Sequence, residues 1–131
     1  MKKLSRILSG IILLAAACTS PAPAPNLETG QIYLFYRNGC PYCEAAENFI
    51  AANYPGLPLR KINVATIPGR RLYFRCVEKF NLNQEHLGTP LICTDNTYIL
   101  GWSEQASYQF GRSVRPYLHY DYIQRLGTEY P

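Results

Sequence analysis

The chain has 131 residues, of which 47% are hydrophobic and 17% charged, so it is long enough for one globular domain and too short for two. Its formal net charge is +4, but three of the 13 basic residues lie within residues 1–17, where no acidic residue occurs. The remaining 10 basic and 9 acidic residues nearly balance, which predicts no basic surface for nucleic acid. We interpret one local cluster of basic residues as ordinary solvated surface: Arg60, Lys61, Arg70 and Arg71.

The first 17 residues have the pattern of a targeting signal. A basic start, with Lys2, Lys3 and Arg6, precedes an apolar stretch from Ile7 to Ala17. This stretch is shorter than the roughly 20 residues that a membrane-spanning helix needs. Its length and flanks are typical of a secretory signal peptide. We therefore expect residues 1–17 to be removed and the rest of the chain to leave the cytosol.

The end of the apolar stretch, Leu14 to Cys18 (LAAAC), resembles the lipobox of bacterial lipoproteins, which are cleaved just before a cysteine that then carries lipid. The usual lipobox has leucine three residues before the cysteine, where this chain has Ala15. The resemblance implies that Cys18 anchors the protein to a membrane of the periplasm or cell envelope. The alternative is an ordinary signal cleaved at Ala15 to Ala17, which would release a soluble secreted protein.

A proline-rich segment, TSPAPAPN, follows Cys18 directly. Proline at alternate positions disfavours helix and holds a chain extended, so this segment predicts a semi-rigid spacer. We interpret residues 18–28 as anchor and linker, and residues 29–131 as one folded domain. A spacer placed directly after an anchor suits a tethered domain.

The folded part begins with alternating strand and helix patterns. Residues 31–36 form an aromatic and β-branched run that predicts a buried strand. Residues 40–53 repeat apolar side chains at three- and four-residue spacing, as an amphipathic helix does. Residues 59–64 predict a second strand, and Pro68 can open a second helix that ends near Asn81.

The second half predicts a hairpin and a last helix. After a loop at 83–88, the strands 91–94 and 97–100 are separated by Asp95 and Asn96, which suit a tight turn. Ser103 is a good N-cap for a helix that Pro116 ends or kinks, before an irregular tyrosine-rich tail. The predicted order of elements is β-α-β-α-β-β-α.

Cys40 and Cys43 form a CxxC motif where the first strand gives way to a helix. Structural zinc needs four ligands, usually two such pairs, and the other cysteines, Cys76 and Cys93, are isolated. A disulfide across so short a loop adds little stability. A cysteine at a helix N-terminus, however, is favoured as the nucleophilic thiolate by the helix N–H groups and dipole. Redox chemistry is therefore the preferred interpretation, with Cys43 as the more buried, resolving cysteine.

The CPYC motif after a strand, with a Thr-Pro pair leading into a later strand, resembles the thioredoxin-like superfamily, and Pro41-Tyr42 is the dipeptide of glutaredoxins. The resemblance implies an α/β, thioredoxin-like fold with a four-stranded mixed sheet flanked by helices. It implies that Cys40 attacks and Cys43 resolves. It also implies that Thr89-Pro90 is a cis-proline pair whose preceding backbone binds an extended substrate. We expect Tyr42 to line the same groove.

Two departures from these families limit what the resemblance implies. Glutaredoxins hold the glutathione amine with Gly-Gly and acidic residues, where this chain has Gly101-Trp102-Ser103-Glu104. Thioredoxins have a buried aspartate where this chain has Leu34. Glutathione use is therefore not implied, and we expect no organic cofactor or metal, because the redox centre is the cysteine pair itself.

Cys76 and Cys93 lie on a predicted helix and strand that we expect to be adjacent. In an exported protein they can form a second disulfide. Alternatively, they are two small, buried apolar residues. The sequence leaves both interpretations open.

The sequence predicts an extracytoplasmic thiol–disulfide oxidoreductase. Its expected partners are exported cysteine-containing proteins and a membrane redox partner, and we expect a monomer attached to the membrane through Cys18. Two alternatives stay open: a non-catalytic lipoprotein binding module with a structural Cys40–Cys43 disulfide, and a protein that handles Cu(I) with the two thiolates. The only methionine is Met1, so no methionine-rich tract supports copper handling.

Overall fold

The computed structural model describes residues 24–118, and its elements follow the predicted order β-α-β-α-β-β-α. The strands are β1 (Ile32–Tyr36), β2 (Leu59–Asn63), β3 (Leu91–Cys93) and β4 (Tyr98–Leu100). The helices are α1 (Pro41–Asn53), α2 (Ile67–Lys79) and α3 (Glu104–Ser113), with one 3₁₀ turn at Gln84–His86.

The four strands form one mixed sheet in the order β2-β1-β3-β4. In β1, Leu34 lies opposite Lys61 of the parallel β2 and opposite Ile92 of the antiparallel β3. β3 and β4 form an antiparallel hairpin. The central strand β1 is apolar throughout because both faces of a strand in such a sheet are covered by helices. The expected α/β fold with a four-stranded mixed sheet is confirmed.

Alternating side chains of β1 divide the core into two layers. One layer joins Ile32 and Leu34 to the buried faces of α1 and α3, where Phe110 is fully buried. The other joins Tyr33 and Phe35 to the buried face of α2. The sheet therefore lies between α1 and α3 on one side and α2 on the other.

The first residues of α2 and α3 are set by side-chain caps. Thr66 Oγ1 accepts a hydrogen bond from the Gly69 N–H at 3.1 Å, so α2 begins at Ile67, one residue before the predicted Pro68. Ser103 Oγ accepts from the Ala106 N–H at 3.1 Å, which confirms the predicted N-cap of α3.

Several predicted boundaries are wrong by one or two residues. α2 ends at Lys79 instead of near Asn81, because Asn81 adopts a left-handed conformation with φ of 49°. Thr94 and Thr97 lie outside the strands, because the Thr94 hydroxyl accepts from the Thr97 N–H at 3.0 Å and closes the hairpin turn. The predicted loop at 83–88 contains the 3₁₀ turn, which Asn83 caps.

The chain contacts the core before the predicted start of the domain at residue 29, and part of the segment after Pro116, predicted to be irregular, is helical. Leu27, which we placed in the linker, packs against the α2 layer of the core. After Pro116 the chain stays helical to residue 118, and the Tyr117 hydroxyl accepts from the Asp95 N–H at 2.8 Å. The rest of the predicted tail and the predicted signal and anchor lie outside the described residues.

Phe110 provides a test of the α3 side of the core. Its ring is fully buried, with its centroid 5.5 Å from that of Tyr54. We expect Phe110→Ala to lower the free energy of unfolding by about 3–5 kcal/mol in urea denaturation, since it leaves a cavity. On the same helix Tyr108 is 68% exposed, so Tyr108→Ala should change stability by no more than about 0.5 kcal/mol. Equal losses for the two variants would contradict the packing of α3 on the sheet.

Candidate active site

The turn between β1 and α1 delivers Cys40 to the start of the helix. Gly39 makes the turn with a positive φ of 71°, which glycine adopts without steric cost. Cys40 is the N-cap of α1, and its sulfur accepts a hydrogen bond from the Cys43 N–H at 3.2 Å. Its carbonyl oxygen accepts from the Glu44 N–H at 3.1 Å. The helix therefore begins with N–H groups directed at this cysteine.

Cys40 and Cys43 form a disulfide, and only one of the two sulfurs faces the surface. Cys40 is half-buried, whereas Cys43 is only 2% exposed because it shares the buried face of α1 with Ala46 and Ile50. An attacking thiolate from solvent therefore reaches the disulfide at Cys40. This asymmetry fits the roles that the resemblance implies for the two residues.

Thr89 and Pro90 lie directly against Cys40, although they are 49 residues away in the chain. The Cys40 sulfur is 3.6 Å from the Thr89 carbonyl oxygen, and the Thr89 hydroxyl donates to that sulfur at 3.7 Å. The Thr89–Pro90 peptide bond is cis, as the resemblance implies. Pro90 is buried, and its carbonyl oxygen accepts from the Gly101 N–H at 2.8 Å, which ties this segment to the end of β4.

The backbone of Thr89 is available to a second chain. Among residues 24–118, no backbone hydrogen bond uses the Thr89 N–H or C=O group. The preceding loop is held by the Tyr73 hydroxyl, which donates to the Gly88 carbonyl oxygen at 2.9 Å. Burial raises the pKa of this Tyr73 hydroxyl, so it stays a donor at neutral pH. A fixed segment with unpaired backbone groups next to a strand can pair with one extended peptide.

A groove of about 280 Å³ runs beside Thr89. Among residues 24–118, two arginines, Arg37 and Arg70, line it together with apolar and aromatic side chains, and no carboxylate does. The remaining lining residues are Val64, Tyr73, Phe74, Leu87, Gly88 and Thr89. The groove therefore combines a positive charge with an apolar floor next to Thr89, the residue that contacts Cys40.

The contribution of α2 to this groove was missed from the sequence. Arg70 was interpreted as ordinary solvated surface, and Phe74 was not considered as a site residue. Phe74 is in fact 42% exposed. Nothing within the sequence of α2 itself points to Thr89, because the two meet only through the packing of α2 on the sheet.

Tyr42 is not among the residues that line the groove. Its side chain is 64% exposed, because it lies off the α1 face that carries Cys43, Ala46 and Ile50. A contact between Tyr42 and a substrate bound over Cys40 stays a prediction.

Cys76 and Cys93 carry free thiols that are 0% and 1% exposed. The second disulfide is therefore not formed here, and the two residues pack as small apolar side chains in the α2 layer of the core. A hydrogen bond from the Cys76 thiol to Cys93, together with burial, raises the pKa of Cys76. The same hydrogen bond and the charge of Lys79 lower the pKa of Cys93.

The described residues hold neither a metal cluster nor a membrane span. Between residues 24 and 118, no three His, Cys, Asp or Glu side chains are grouped so that they could hold a metal ion. In the same range, no helix has the length and apolar composition needed to cross a membrane.

Solved structures similar to this chain include two crystal structures. That of the thioredoxin-like protein BC3987 covers 60% of this chain and 97% of its own, at 18% sequence identity and a TM-score of 0.46. That of the glutaredoxin grx-1 from Archaeoglobus fulgidus covers 66% of this chain and 87% of its own, at 16% identity and a TM-score of 0.47. No protein-family model and no curated protein matches the sequence.

The chain's own geometry defines the class of protein. Its mixed sheet lies between helices on both faces, and a CxxC disulfide at the start of α1 lies against a cis-proline. This is a thioredoxin-like α/β domain. The dipeptide Pro41-Tyr42 makes its redox motif similar to that of glutaredoxins.

The difference in burial among the cysteines predicts their order of alkylation. After mild reduction of a Cys18→Ser chain, we expect iodoacetamide to modify Cys40 first, because only its sulfur reaches the surface. Mass spectrometry should detect modification of Cys76 and Cys93 only after denaturation, when both react. Modification of either residue in the native protein as fast as Cys40 would contradict the burial described here.

Proposed function

We propose that the protein is a thiol–disulfide oxidoreductase that acts on cysteine-containing proteins outside the cytosol. The position of Cys40 carries this proposal. Cys40 is half-buried, its sulfur accepts from the Cys43 N–H, and this sulfur lies beside the backbone of Thr89. A buried partner cysteine that closes the disulfide completes the minimum set of groups for thiol–disulfide exchange.

Reduction of a substrate takes two exchange steps. The Cys40 thiolate attacks one sulfur of a substrate disulfide, so that a mixed disulfide forms and the other substrate sulfur leaves as a thiolate. Cys43 loses its proton and attacks the Cys40 sulfur, the mixed disulfide breaks, and the second substrate thiolate leaves. Two electrons have then passed to the substrate, and the protein holds the Cys40–Cys43 disulfide.

Oxidation of a substrate follows the same steps in reverse. A substrate thiolate attacks Cys40 of the disulfide, and Cys43 leaves as a thiolate that takes up a proton. A second substrate thiolate then attacks the substrate sulfur of the mixed disulfide and releases Cys40. The reduction potentials of the two pairs decide the direction, and a membrane redox partner would restore the starting state.

Thr89 and the groove supply substrate binding in this proposal. An extended substrate segment pairs with the Thr89 N–H and C=O groups, which places its cysteine over the Cys40 sulfur. The charges of Arg37 and Arg70 favour segments that carry acidic side chains near the cysteine. Because backbone pairing is independent of sequence, this arrangement suits a range of protein substrates.

Cysteine variants test the two roles. With insulin as the substrate and dithiothreitol as the electron donor, Cys40→Ser should remove the activity, at least about 100-fold, because no attacking thiolate remains. Cys43→Ala should accumulate a mixed disulfide that non-reducing electrophoresis detects, because nothing resolves it. Cys93→Ala is the matched control and should keep the activity of the unmodified protein. Equal activity of Cys40→Ser and the control would refute the proposal.

The reduction potential of Cys40–Cys43 separates an enzyme from a binding module. We expect a value between about −270 and −120 mV in glutathione or dithiothreitol buffers, the range of dithiol oxidoreductases. A structural disulfide has a potential below about −300 mV. A potential below about −300 mV would instead support the alternative function, a tethered binding module with a structural disulfide. Copper titration of the reduced protein with and without Cys40→Ala tests the third alternative, Cu(I) binding.

Attachment to a membrane through Cys18 is part of the proposal. It is supported by LAAAC and the proline-rich spacer in the sequence, and by the first described contact with the core at Leu27. We expect the protein in the membrane fraction of a bacterial host and Cys18→Ser in the soluble fraction, with Cys93→Ala as the control that stays with the membrane. Recovery of the unmodified protein in the soluble fraction would instead support an ordinary secretory signal.

A further inference from the structure

The outer face of α2 carries arginines between exposed apolar side chains. Its members are spaced as one helical face and lie opposite the buried face of the helix. Ile67 is 69% exposed and Phe74 is 42% exposed. This outer face comprises Ile67, Arg70, Arg71, Phe74, Arg75 and Glu78.

The charge of the outer face is mainly unpaired. Arg75 forms an ion pair with Glu78 at 3.2 Å. Among residues 24–118, neither Arg70 nor Arg71 forms an ion pair. Two exposed positive charges and two exposed apolar side chains therefore lie on the same surface. Such a combination is typical of a helix that contacts an anionic membrane surface.

The described part of the chain begins at this same face. Ala24, the first described residue, lines the shallow groove on the outer face of α2. Cys18 lies six residues earlier, a distance of at most about 20 Å even for a fully extended chain. A lipid on Cys18 therefore holds the membrane surface within reach of Arg71 and Phe74. This step rests on the anchoring that belongs to the proposed function.

We propose that the outer face of α2 binds the anionic lipid headgroups of the membrane that holds the anchor. Arg70, Arg71 and Arg75 contact phosphate groups, while Ile67 and Phe74 enter the boundary between headgroups and acyl chains. The short tether favours a lipid surface over an acidic protein, because the membrane is held next to this face at all times.

Membrane contact on this face orients the active site. Arg70 and Phe74 also line the groove beside Thr89, so the groove opens at the margin of the contact. The disulfide then meets proteins that emerge at, or are embedded in, the membrane surface.

Vesicle binding tests the proposal. The probe is a chain that starts at residue 18 and carries Cys18→Ser, which retains all of residues 24–118. We expect it to sediment at low salt with vesicles of 70% phosphatidylcholine and 30% phosphatidylglycerol, and to bind vesicles of pure phosphatidylcholine far less. It should dissociate from the anionic vesicles in about 0.5 M salt, because charges are then screened within a few ångströms. Arg71→Gln with Arg75→Gln should weaken binding about 25-fold, at about fivefold for each arginine.

The matched control is Arg112→Gln with Arg115→Gln, which removes the same charge from exposed positions in and just after α3. We expect this pair to keep its affinity for the anionic vesicles. Arg71 and Arg75 do not line the groove, so insulin reduction in solution should be unchanged in both double variants. Vesicle binding therefore fails or succeeds independently of the proposed enzymatic activity.

A tryptophan at position 74 reports the contact directly. Emission of Phe74→Trp, after subtraction of the native Trp102 signal, should shift to shorter wavelength when anionic vesicles are added. Tyr108→Trp, at an exposed position of α3, should not shift. Absence of binding to anionic vesicles, equal losses for the two arginine pairs, or equal shifts for the two tryptophans would overturn the proposal. The first outcome would leave an acidic protein as the partner of this face.

Discussion

The structure depends on β1, which pairs with a neighbouring strand along both edges and is buried on both faces. Its side chains from Ile32 to Phe35 are at most 1% exposed, and they form the centre of both core layers. α1 and α3 must cover one face and α2 the other, because an uncovered apolar strand is unstable in water. The end of this strand sets the position of Cys40, so the CxxC motif follows a strand that is buried from Ile32 to Phe35.

Helix formation and thiol chemistry use the same groups at Cys40. The Cys43 N–H, which donates to the Cys40 carbonyl oxygen at 3.1 Å, also donates to the N-cap sulfur at 3.2 Å. The same interaction favours a thiolate when the disulfide is reduced, because N–H groups and the helix dipole stabilise negative charge. Thr89 lies against the Cys40 sulfur. Its backbone N–H and C=O groups are the ones that could pair with a substrate. The site thus needs α1 and the cis-proline segment together, and neither has this chemistry alone.

α2 has two faces with different roles. Its inner face, which includes Tyr73, Cys76 and Val77, packs on the sheet, and Tyr73 also holds the loop before Thr89. Its outer face carries the exposed arginines and Phe74. One helix therefore supports the fold, borders the proposed substrate groove and carries the proposed membrane contact. A change in its angle to the sheet would alter the groove and the outer face together.

The sequence by itself determined the order of elements, the Ser103 cap of α3 and the CxxC motif, because periodicity, capping and turn chemistry act over a few residues. The cis Thr89–Pro90 bond was expected only from family resemblance, since local sequence does not select it. Tertiary structure alone decided that Cys76 and Cys93 are buried thiols and that α2 borders the groove. These features join residues distant in the chain, and their distances follow from how helices pack on the sheet.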